Sequence, residues 1–183
     1  ISANGAKIGE GPLGISRIDR DAHPLKETYF QAVRELQLPT TDDMVAQPEG
    51  AGLYQITTRN GFRCSAADAF LRPALKRGNV KIETDSLALN IVFDGKRAVG
   101  IRYRRYGHVF EARARIAVIL AGGAVNSPLL LQLTGIGRAE LLQRHGIPVL
   151  LDNANVGANL QDHLAVTYYY KSKVPTMNDE LNS

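Results

Sequence analysis

The 183-residue chain contains one cysteine, Cys64, so no internal disulfide can form and no thiolate metal cluster can be assembled. A reducing compartment, the cytoplasm, is the location this favours. Long apolar runs are also absent: VILA and PLLLQL fall far short of the ~20 residues that cross a bilayer, and no charged start with a hydrophobic core marks a secretory leader. No transmembrane segment is expected. His23, His108, His145 and His163 form no HxxxH or HxH pair, which leaves a metal site without ligand spacing. A G-x-S-x-G nucleophile elbow and a phosphate-loop lysine are missing too. The 22 Lys and Arg against 18 Asp and Glu leave a formal charge of +4, but the basic residues are scattered. Only RRY at 104–106 and KRGN at 76–79 are locally dense, which describes a solvated surface and not a nucleic-acid footprint.

Apolar residues make up 44% of the chain, enough to bury a core. Residues 1–20 are glycine-rich and aperiodic and read as an extended or poorly ordered lead-in. After Pro24 the residues Leu25, Tyr29, Val33 and Leu36 share one helical stripe, with Asp21 or His23 as cap and Pro39 as stop. A polar loop leads to LYQITTRNGFR, where Asn60-Gly61 predicts a turn between extended segments. Ser65 with Asp68 is a capping box in which Asp replaces Glu, and Pro73 is expected to end or kink the helix that follows.

From Val80 to Gly123 short β-rich runs are separated by Asp94-Gly95 and Tyr106-Gly107, a pattern of three or four meander strands. RIAVIL at 115–120 is continuously apolar and predicts a more deeply buried strand. Beyond it RAELLQRHG reads as a short helix ended by Gly146, IPVLL as a buried strand and VGANLQDHL as a polar loop. The fold class is therefore mixed α/β.

AGGAVNSPLLLQLTGIG at 121–137 is the stretch with most chemical content. Gly135 and Gly137 are spaced as G-x-G, but Glu140 occupies the third glycine position of a dinucleotide fingerprint and no strand directly precedes them. Gly122 and Gly123 follow the apolar run and would let a ligand or a neighbouring chain approach the backbone. A tight strand-to-helix turn, with Asn126 or Ser127 as cap and Pro128 in first position, explains the same residues equally well. Asp162-His163 invites a general-base reading, while a loop support explains it without catalysis.

Three stretches together resemble the glucose-methanol-choline (GMC) family of flavin-dependent oxidoreductases, in its choline dehydrogenase-like branch. GAVNSPLLLQLTGIG is similar to the family's second signature, with Thr134 where Ser is usual. RCSAADAFLRPALKRGNVKI resembles the Arg-x-Ser-Ala-Ala segment with its following Leu-x-Pro-Ala, and VGANLQDHL the Val-Gly-x-Asn-Leu-Gln-Asp-His stretch. The resemblance covers about residues 11–170 in the family order.

It implies a partial FAD-binding Rossmann-like domain with a β-meander. Residues 21–165 would be the middle of that domain and 166–183 the start of a substrate-binding domain. The family's G-x-G-x-x-G unit is not among these residues, and its catalytic histidine pair would lie beyond Ser183, so an internal segment is expected. By resemblance Ala121, Gly122 and Gly123 lie near the adenosine part of FAD, and Ala88 in TDSLALNI reads adenine through its backbone. No catalytic residue is assigned, and the NLQDH loop is expected to support the flavin cavity. TYYYK at 167–171 is read as a strand entering the substrate domain and not as an aromatic cage. The implied reaction oxidises an alcohol to an aldehyde, with a small-molecule alcohol and an electron acceptor as partners. A non-catalytic binding or scaffold domain derived from the same fold is the alternative, and an NAD enzyme is disfavoured by the missing fingerprint.

Overall fold

The computed structural model describes residues 11–18, 22–44, 46–47 and 49–181. They fall into two compact units, divided after residue 81 and before residue 168, the described residues on either side of 82–167 forming the first and residues 82–167 the second.

In the first unit, α1 (Leu25–Glu35) begins where the His23 Nδ1 accepts the Leu25 N–H at 3.2 Å. Asp21, the other expected cap, lies outside the described residues. The stop is not Pro39. Gln37 adopts a left-handed φ of +56°, so that its N–H reaches Arg34 O and the Leu38 N–H reaches Val33 O. That pair of bonds satisfies the last-turn carbonyls before proline is met. Of the apolar stripe Val33 is buried, whereas Tyr29 and Leu36 face solvent, because the packed side of the helix is narrower than the stripe. Of the expected lead-in, residues 1–10 and 19–20 lie outside the described residues, and residues 14–16 are held in place. Ser16 exchanges backbone bonds with Ile56, and the Gly14 N–H donates to the buried Cys64 Sγ at 3.2 Å.

Strands β1 (Thr58–Arg59) and β2 (Phe62–Arg63) pair around Asn60-Gly61, both residues having positive φ. This is the hairpin geometry that Asn-Gly favours. The capping box also forms: the Asp68 N–H donates to Ser65 Oγ at 3.2 Å, and the Asp68 carboxylate accepts from Ser65 Oγ at 2.6 Å and from its N–H at 3.3 Å. Pro73 does not end the helix. The chain widens into a π-helical turn over Ala67–Leu71 and continues as α2 (Arg72–Leu75), and the wider turn accommodates the missing donor and the pyrrolidine ring. The Ser65 hydrogen bonds hold the Asp68 carboxyl below its ordinary value of 3.8. Stability from this group is therefore present above that value and is lost as pH falls through the lower folded-state value. Ser65→Ala is expected to cost about 1 kcal/mol in urea unfolding at neutral pH. An unchanged midpoint would show that the box contributes nothing.

The second unit is built on a three-stranded antiparallel meander, β3 (Ser86–Asp94), β4 (Arg97–Arg105) and β5 (His108–Arg113). Its turns fall at the expected dipeptides, with positive φ at Gly95, Tyr106 and Gly107. β3 carries a register shift between Ala88 and Asn90 that leaves Leu89 unpaired. α3 (Gly123–Leu133) packs on β3, and β6 (Ile136–Gly137), α4 (Ala139–Arg144) and β7 (Leu151–Asp152) complete the unit. Gly146 ends α4 as expected, at φ +69°. Ile91 and Leu142 are the buried apolar anchors here.

Two strand expectations require correction. RIAVIL bends at its start and pairs with no strand among the described residues, leaving Ile116 and Ile119 at 89% and 86% exposure. Of IPVLL only the last residue enters a strand, parallel to β6 over two residues and exposed. A strand buried on both faces needs a sheet to pair with and a layer packed on each face, and neither segment has them among the described residues. The tyrosines of TYYYK likewise form no strand and are exposed. The chain ends its described course in α5 (Met177–Leu181) of the first unit, opened by a Thr176–Asp179 capping pair.

Candidate functional site

The turn between the apolar run and α3 differs from the simple capped turn considered above. The helix begins at Gly123, so Asn126 and Ser127 lie within its first two turns instead of capping it, and Pro128 is internal. No side-chain cap hydrogen bond closes the helix start. Gly123 has φ +83°, a conformation that a side chain with a Cβ resists. A Cβ built there meets nothing within 4 Å, whereas one on Gly122 would press on Asn126 Cβ at 3.1 Å and Ser127 N at 3.3 Å. Glycine at 123 is thus required by the backbone, and the space over it is open. Ala121, Gly122 and Gly123 are all exposed.

Ala88 sits on β3 opposite Tyr103, immediately before the interruption at Leu89. It is half-buried. β3, which carries Ala88, packs on α3, the helix that follows the 121–123 turn. The decisive link between strand and helix was not read from sequence. The Thr134 hydroxyl accepts the Ile91 N–H at 3.0 Å and donates to Leu130 O at 2.7 Å. In the sequence Thr134 stands out only as a replacement for serine, and the shared hydroxyl is the available signal.

The C-terminal end of α3 is also tied to the NLQDH region. Gln132 Nε2 donates to Val156 O at 3.2 Å, and Gly157, at φ +76°, leaves room for that amide. Asp152 Oδ1 accepts the Ala139 N–H at 2.9 Å, so β7 caps α4. Neither link had a local sequence signal. Asp162 and His163 are fully exposed, and Asp162 Oδ1 accepts the His163 backbone N–H at 2.8 Å. His163 Nδ1 stands 3.8 Å from the same oxygen, beyond hydrogen-bond range. The loop geometry supports a local turn and gives no oriented base.

Two clefts among the described residues do not coincide with the predicted site. One of about 250 Å³ in the first unit is lined by Arg17, Lys26, Phe30, Arg34 and Tyr54 among others. Another of about 200 Å³ lies in the second unit between α4 and residues 154–158. The open turn into α3 is the candidate for a large, extended ligand, since a nucleotide lies along a surface of backbone amides and does not need a closed pocket.

Human mitochondrial choline dehydrogenase is 44% identical over 167 residues, covering 91% of this chain and 28% of that protein. The crystal structure of pyridoxine 4-oxidase from Mesorbium loti superposes with a TM-score of 0.72 at 29% identity, over 78% of this chain and 28% of that one. An FAD-dependent oxidoreductase from Chaetomium thermophilum gives a TM-score of 0.71 at 30% identity, over 78% of this chain and 25% of the other. The chain thus spans less than a third of the length of each of these relatives. The mixed α/β fold is the one these oxidoreductases share, and the GMC oxidoreductase family model matches residues 4–165, through the meander, the AGG turn, α3 and the NLQDH loop. By that match, and by the motifs placed on those elements, the chain belongs to the GMC oxidoreductase family.

Proposed function

We propose that these residues form a segment of an FAD-dependent alcohol dehydrogenase, choline dehydrogenase-like, which oxidises a small alcohol to an aldehyde. The observation that carries the reading is Gly123, whose left-handed backbone opens an uncapped helix beneath unobstructed space. Such a start presents backbone donors to an anionic or polar group. The residues fit the adenosine part of FAD. Ala121, Gly122 and Gly123 provide close backbone approach, and Ala88 offers its backbone beside the interrupted ladder. When bound, the flavin supplies the hydride-accepting chemistry, and the protein supplies placement and electrostatics. Residues 21–165 then act as the middle of the FAD-binding domain, and 166–183 lead into the substrate-binding domain. The partners are a small-molecule alcohol and an electron acceptor. The lone, buried Cys64 thiol suits a reducing compartment, and we place the protein in the cytoplasm.

Among the described residues, neither His23 nor His163 is held as an oriented proton acceptor. His23 Nδ1 is engaged by the Leu25 N–H, and the Asp162 carboxylate is engaged by backbone and does not orient His163. The expected result is that the 183-residue chain purifies without stoichiometric FAD and turns over neither choline nor simple primary alcohols with FAD and an artificial acceptor. The full-length protein is expected to contain FAD at near equal molarity, with flavin absorbance that bleaches when alcohol is added without oxygen. Turnover by the 183-residue chain that disappears in His163→Ala would make His163 a base. A full-length protein without flavin would favour the scaffold alternative.

A further inference from the structure

Thr134 stands at the C-terminal end of α3, the helix whose other end carries the AGG turn. Its hydroxyl proton is committed to Leu130 O at 2.7 Å, which leaves a lone pair to accept the Ile91 N–H at 3.0 Å. Ile91 is 6% exposed, so few waters could replace that acceptor. The Ile91 carbonyl is covered as well, by Asn90 Nδ2 at 3.2 Å. β3 is therefore fastened to α3 at one residue, three positions beyond Ala88 and two beyond the ladder interruption at Leu89.

We propose that Thr134 is a positioning residue for the adenosine half of the cofactor, acting through Ile91 to fix Ala88 relative to the AGG turn. This rests on the cofactor placement proposed above. The lever is α3 itself, which at 11 residues spans about 16 Å. A rotation of roughly 5° about its Thr134 end would move the AGG turn by about 1.4 Å, enough to break a hydrogen bond to a ligand held between turn and strand. A single hydroxyl at the pivot thus controls a distance at the far end of the helix. Valine at 134 keeps the shape but cannot accept the Ile91 N–H, while serine keeps the acceptor.

The test uses the full-length protein stripped of flavin and reloaded. Thr134→Val is expected to weaken FAD binding about tenfold, and Thr134→Ser to stay within about twofold of wild type. Amide exchange at Ile91 should quicken in Thr134→Val and not in Thr134→Ser. Leu142→Val, a core change in α4, controls for general loss of stability and should leave the FAD dissociation constant unchanged at a comparable drop in Tm. If Thr134→Val does not fold, Thr134→Ala takes its place with the same expected ordering. Wild-type FAD affinity in the variant without a hydroxyl, or an equal loss in Leu142→Val, would overturn the positioning role while leaving the cofactor placement intact. A wild-type protein that binds no FAD would overturn the cofactor placement and this proposal with it.

Discussion

Gly135→Ala is expected to unfold the second unit, or to destabilise it by more than about 3 kcal/mol. Gly135 is buried and has φ +98°, where a Cβ is strained irrespective of its surroundings. Here the surroundings are also closed. A Cβ would collide with the Pro148 carbonyl oxygen and approach Leu150 N at 3.1 Å. Those atoms cannot withdraw cheaply, because the Gly135 carbonyl accepts the Leu150 N–H at 2.8 Å and the Leu151 N–H at 3.1 Å. Moving the 148–151 segment would break the bonds that bring β7 to β6. Gly146→Ala is the matched comparison: φ is +69° but the space is empty, and a cost of about 1 kcal/mol is expected. Urea unfolding of the two variants separates strain from collision. Equal losses would mean that the backbone at Gly135 relaxes freely.

Gly123→Val in the full-length protein is expected to reduce the flavin-to-protein ratio to less than about half, whereas Cys64→Ala should leave it near wild type. At Gly123 an added Cβ meets no atom within 4 Å beyond its own helical turn, so the substitution acts chiefly through backbone strain or by obstructing a ligand. A β-branched residue at φ +83° either displaces the helix start or projects into the open space above it. Cys64→Ala removes only the sulfur that accepts the Gly14 N–H in the first unit. Absorbance ratios of the purified, folded variants decide the matter. Equal flavin content in both would count against placing the cofactor at this turn.

The local signals in the sequence were the ones that translated directly into structure. Asn60-Gly61 and Tyr106-Gly107 turned as hairpins, Ser65 and Asp68 closed their box, and Gly146 ended α4, because in each case the partners are within a few residues and the backbone preference is intrinsic. The three ordered motifs also carried the family, since residue identity at fixed spacing needs no coordinates. Helix boundaries were less legible. Asn126, Ser127 and Pro128 form a plausible cap by composition, yet Gly123 starts the helix earlier because the left-handed turn already redirects the chain.

What only the tertiary structure decided is where distant backbone meets. RIAVIL has the composition of a buried strand, but burial requires neighbours, and no local pattern states whether they are present; here Ile116 and Ile119 face solvent. The Gly135-x-Gly137 spacing carries no phosphate-binding message. It exists because residues 148–150 cross close to the chain at Gly135 and because Gln132 Cγ would lie 3.1 Å from a Cβ on Gly137. The Thr134–Ile91 bond joins residues 43 apart in sequence. A hydroxyl is a donor and acceptor wherever it occurs, and only the packing of α3 on β3 determines which buried amide it satisfies.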